Sequence, residues 1–82
     1  MYSNTKIIII MTRKEMLRWC YENILKPDNK LTLEDMVNAI GEEYYEELDQ
    51  MEVIQVWYDY ASNHRRVFLT WLGEAYCKEF FE

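Results

Sequence analysis

A cysteine thiolate beside an imidazole is the smallest constellation in this sequence that could do covalent chemistry. The chain holds two cysteines, Cys20 and Cys77, and one histidine, His64. Such a pair works only when the imidazole takes the thiol proton and a third group orients the ring. His64 lies in the polar run Ser62-Asn-His-Arg-Arg66, and neither cysteine stands in a local nucleophile signature. The plain reading makes the cysteines small apolar core residues of a reduced, cytoplasmic protein. The sequence therefore points away from an enzyme.

Metal and phosphate chemistry are served no better. Glu42, Glu43, Glu46 and Glu47 have no histidine partner, and no alternating Asp-x-Asp-x-Asp-Gly calcium loop or Glu-x-x-His pair occurs. Two isolated glycines, Gly41 and Gly73, do not make a phosphate cradle. No cofactor and no metal is expected. Direct nucleic-acid binding is disfavoured by the net charge of −6, because affinity for the backbone comes mainly from cations. Residues 1–30 do carry an excess of positive charge through Lys6, Arg13, Lys14, Arg18, Lys26 and Lys30. Its plainest role is a solvated helix face.

What the sequence does concentrate is negative charge. From Leu31 to Tyr60 the ionised residues are Glu34, Asp35, Glu42, Glu43, Glu46, Glu47, Asp49, Glu52 and Asp59, with no Lys or Arg among them. If Glu42 to Leu48 is helical, Glu42 and Glu46 form one row and Glu43 and Glu47 another, at about 6 Å of rise per row step. Like charges at this spacing cost a helix roughly 0.2–0.5 kcal/mol per pair, and no nearby cation in sequence relieves them. A lattice of negative charge at spacings of a few ångströms imitates a nucleic-acid backbone. Tyr44 and Tyr45 lie among the acids, and tyrosine is a frequent interface anchor. The candidate partner-binding residues are Glu42, Glu43, Tyr45, Glu46, Glu47, Asp49, Glu52 and Asp59. The expected partner is the basic surface of a nucleic-acid-binding protein or nuclease, with no direct nucleic acid and no membrane. The bland alternative is a solvated acidic face with its tyrosines turned inward.

In size, charge and lack of catalytic equipment the chain resembles the small acidic proteins that phages encode against host defence nucleases, anti-CRISPR and anti-restriction proteins among them. The resemblance is one of kind, carried by no motif. It implies a non-catalytic inhibitor that occupies a basic nucleic-acid channel.

The elements that must position these residues follow from caps and spacing. Eighty-two residues make one domain, 1–82, and at this size folding buries roughly 60–65% of the extended surface. Three Trp, seven Tyr and three Phe are more rings than such a core hides completely. Lys6-Ile-Ile-Ile-Ile-Met11 has too short an apolar run for a signal peptide or a membrane span, and its β-branched residues suit a short strand. Thr12-Arg-Lys-Glu15 is a capping box that starts a helix at Arg13, and Pro27 stops it. Thr32 caps a second helix carrying Leu33, Met36, Val37 and Ile40, and Gly41 closes it.

Glu42 to Leu48 reads as a further helical turn. Met51, Ile54, Trp57 or Tyr58, and Ala61 share one face of a helix over 51–61. Ser62 to Arg66 reads as a connection. Val67 to Leu72 suits either a strand beside the Ile run or the opening of a C-terminal helix, the preferred version, with a start only past Gly73 as an option because glycine costs about 1 kcal/mol inside a helix. The fold class is mainly α, three to four short helices in one compact domain, with a minor two-stranded pair, Ile7–Ile10 against Val67–Trp71, as an option.

Two other functions compete. One is a small helical adaptor or homodimer joined through Trp57, Tyr58 and Trp71. The other is a helix-turn-helix regulator, disfavoured because the helix that would read the groove begins with Glu34 and Asp35 and holds no cation.

Overall fold

The Thr12 hydroxyl accepts the Glu15 N–H at 3.1 Å, and the Glu15 carboxylate accepts the Thr12 N–H at 2.8 Å. This reciprocal cap sits at the start of the computed structural model, which describes residues 11–82. It opens α1, Arg13–Asn23. The same device, Thr32 with Asp35, opens α2, Leu33–Ile40. Gly41, with φ of +92°, then separates α2 from α3, Glu42–Gln50, in a conformation where a side chain would be strained. Two antiparallel strands follow, β1, Ile54–Asp59, and β2, His64–Leu69, and α4, Trp71–Phe81, completes the chain. Among the described residues four helices and one minor strand pair make the fold mainly α, as the sequence implies.

Each element contributes to one core. Cys20 of α1, Met36 of α2, Leu48 of α3, Val53, Val67 of β2 and Cys77 of α4 are all fully enclosed. α1 lies along α4, α2 contacts both α3 and β2, and α3 contacts β1. Burying side chains of this size contributes about 1.5–3 kcal/mol each, which sets the α3 acids outward by default.

Several local expectations are corrected. The segment 51–61 is not a helix. α3 ends in a Schellman turn, with Val53 N–H donating to Leu48 C=O at 3.4 Å and Glu52 N–H to Asp49 C=O at 3.0 Å. Glu52 takes the left-handed position at φ of +61°, and the chain leaves it extended. Val53, Ile54 and Val56 are β-branched and lead into Trp57 and Tyr58, a composition that suits a pleated surface.

The strand pair is β1 with β2, in the register Ile54 to Leu69 through Asp59 to His64. Val67–Leu69 is therefore a strand, but its partner is the segment expected to be helical; Ile7–Ile10 lies outside the described residues. His64, Arg65 and Arg66 belong to β2 rather than to a connection.

α1 ends at Asn23, four residues before Pro27, where Ile24 turns its side chain into the core. α4 starts before Gly73, not after it. Thr70 is its cap, and the Thr70 hydroxyl accepts the Gly73 N–H at 3.0 Å.

Candidate partner-binding surface

Leu48, fully buried, and the half-buried Tyr44 and Tyr45 define the inward side of α3. At about 100° per residue, Glu42, Glu43, Glu46 and Glu47 fall on the opposite arc and Asp49 at its margin. Glu42, Glu43, Glu46 and Asp49 are exposed, and none of the four has an ion pair among the described residues. Glu47 differs. Its carboxylate meets Arg13 Nε at 3.1 Å, bridging the edge of the acidic face to the start of α1. Both side chains are largely solvated, so the pair is worth about 0–1 kcal/mol and mainly trims the field at that edge.

The other three candidates stand apart. Tyr45 is turned inward, and burial, reinforced by the Asp49 carboxylate, raises its phenol pKa. Glu52 is exposed at the Schellman corner, off the helix. Asp59 serves the hairpin: it accepts Ser62 Oγ at 2.9 Å, Ala61 N–H at 3.0 Å and Arg66 Nη1 at 3.3 Å. The Ser62 hydroxyl, then the turn amides and Arg66, hold its carboxyl below the ordinary range against the opposing effect of burial. The eight candidates thus reduce to one helical patch, a corner and a structural aspartate. The Arg13–Glu47 pair spans α1 and α3, and no local pattern signals it.

The hairpin sorts the aromatic residues. Gln55, Trp57, Asp59, His64, Arg66 and Phe68 lie on its outer face, whereas Ile54, Val56, Tyr58, Arg65, Val67 and Leu69 face the helices. Trp57 and Tyr58 consequently point to opposite faces of the hairpin. Tyr60 and Trp71 are still very open, at 87% and 85% exposure, with Trp57 at 61%. Arg66 is stitched into the fold: its guanidinium donates to the Asn29 carbonyl and lies 5.4 Å over the Phe68 ring.

His64 is exposed on β2, whereas both thiols are buried in the core between α1 and α4. Burial, with the neighbouring Cys77 sulfur, pushes the Cys20 thiol up to about 12. Burial, with Glu74 and Glu82, pushes Cys77 up to about 11. The Cys77 thiol donates to the Leu17 carbonyl at 3.6 Å. Neither sulfur is placed to act as a nucleophile. Among the described residues no group of three or more His, Cys, Asp or Glu could hold a metal ion, and no helix is long and apolar enough to cross a membrane.

Comparison with protein-family models, with curated proteins and with solved structures gives no match to this chain.

Proposed function

We propose that the chain is a non-catalytic binding protein whose outward α3 face occupies a basic, nucleic-acid-binding surface on a larger protein and blocks it, in the manner of the phage inhibitors it resembles in kind. One observation carries this reading: Glu42, Glu43, Glu46 and Asp49 project from a single short helix, and none of the four is ion-paired with a described residue. A field of that sign and density steers a positively charged partner and disfavours nucleic acid itself. The test is binding to basic nucleic-acid-binding proteins across a salt series, with the wild type beside a variant carrying lysine at these four positions. The variant should lose at least about tenfold in affinity and most of its salt dependence. Equal affinity and an equal salt slope retire the proposal.

A second reading is a small adaptor or homodimer, favoured by the open rings of Trp71 and Tyr60. Aromatic surface of this kind anchors interfaces through apolar burial that salt barely alters. Sedimentation at two protein concentrations separates the two readings, since a strict monomer eliminates self-association.

A further inference from the structure

The two edges of the hairpin are treated differently. Thr70 N–H donates to the Val53 carbonyl at 2.9 Å, which fixes the ladder parity: residues 53, 55, 57 and 59 bond across to β2, and the backbone groups of residues 54, 56 and 58 point away from it. The same parity turns Val67 outward on β2, and there the structure supplies partners. Val67 N–H donates to the Leu31 carbonyl at 3.1 Å, the Val67 carbonyl accepts Asn29 Nδ2 at 2.9 Å, and Thr32 bridges to Arg66. The segment 29–32 thus closes that edge.

On β1 nothing equivalent is present among the described residues. Ile54 is buried, but Val56 is half-buried and Tyr58 is 46% exposed. The strand has no Lys, no Pro and no bulge of the kind that ordinarily blunts a free edge. Its surroundings are negative at one end. Glu52 stands exposed just before it and acidic α3 runs directly into it, whereas at the far end Asp59 is paired with Arg66 and Arg65 stands across from Tyr58.

We infer that the open edge of β1, at Val56 and Tyr58, is a docking site for an extended segment of a partner protein, apolar and β-branched at its centre and basic at the end that lies beside Glu52. Main-chain hydrogen bonds would hold the segment and the acids would select its charge, with its alternate side chains lying beside Trp57 on one face and Tyr58 on the other. A second copy is the poorer occupant. Antiparallel pairing of β1 with itself sets Glu52 and Asp59 of the two copies near one another, and each chain carries a net charge of −6. This inference rests on the proposed acidic partner surface only for its charge preference; the hydrogen-bonding edge stands on the ladder parity.

The test uses the full chain and short synthetic peptides of alternating valine and threonine, one with lysine at both ends and one with glutamate. The lysine-ended peptide should bind at least about tenfold more tightly than the glutamate-ended one. Val56→Pro removes an outward N–H and no ladder bond, so the hairpin keeps its pairing while the edge is blocked; with an unchanged circular dichroism spectrum this variant should lose peptide binding. An N-methylated peptide should fail to bind the wild type. Equal binding by the wild type and Val56→Pro, or no binding of the lysine-ended peptide, overturns the inference. So does dimerisation of the wild type that Val56→Pro abolishes, since it gives the edge to a second copy. Lysine substitution of Glu42, Glu43, Glu46 and Asp49 leaves the edge intact. If that variant keeps peptide binding but reduces its charge preference, the docking edge stands even where the inhibitor reading falls.

Discussion

Gly73 rests directly on the backbone of Val53: a Cβ at residue 73 would overlap the Val53 carbonyl oxygen and stand 2.9 Å from its carbon. The first turn of α4 therefore approaches the corner between α3 and β1 as closely as backbone can. Gly73→Ala should destabilise the protein by about 2–3 kcal/mol, although alanine is the better helix former by about 1 kcal/mol. Urea denaturation of the two proteins measures this, and a stabilised variant would show that α4 does not seat here.

Glu52 presents the opposite case. It is a non-glycine residue at φ of +61° whose side chain is exposed. Glu52→Gly should raise stability by roughly 0.5–1 kcal/mol, because glycine holds the left-handed position without the Cβ penalty and a carboxylate leaves a helix C-terminus. The urea midpoint should rise with no change in slope.

The thiols should be silent in the folded state. With burial pushing Cys20 to about 12 and Cys77 to about 11, the thiolate fraction at pH 8 is negligible, and iodoacetamide should label neither until urea is added. The sign for stability follows. Both groups are held neutral, so their contribution is whole below the ordinary thiol pKa and is lost as pH rises through the range of about 11 to 12. Rapid labelling of the native protein would contradict the buried placement.

Asp59 titrates in the other direction. Its folded pKa lies below the ordinary value, chiefly through the Ser62 hydroxyl, so its contribution is present above the unfolded pKa and is lost as pH falls through the folded one. Asp59→Asn should flatten the acid limb of the stability curve and loosen the tip spanning 60–63, observable as faster amide exchange at Ala61 and Asn63. An unchanged acid limb would remove Asp59 from the turn.

The helix starts were legible because their chemistry is local. Thr12 with Glu15, Thr32 with Asp35, and Gly41 each satisfy or terminate a helix within a few residues of sequence. The stretch 51–61 was not, since Met51, Ile54 and Ala61 fit a helical stripe while Val53, Ile54 and Val56 fit a strand, and the deciding left-handed turn falls on a glutamate. His64 to Arg66 looked like a connection because polar side chains on an exposed strand face leave no apolar alternation to read. The α3 face was visible as charge, because a helix with Leu48 inward has no choice but to turn Glu42, Glu43 and Glu46 out. What stayed hidden was tertiary: Arg13 reaching Glu47, Asp59 committed to its own turn, and one edge of β1 left without a backbone partner among the described residues.

Thr70 donates its hydroxyl proton to the Glu52 carbonyl at 2.6 Å and accepts the Gly73 amide proton, while its own N–H binds Val53. One threonine therefore works as a rivet through the foot of the hairpin. The foot of the hairpin, the end of α3 and the start of α4 are joined at a single side chain, so a substitution at Thr70 unties all three at once.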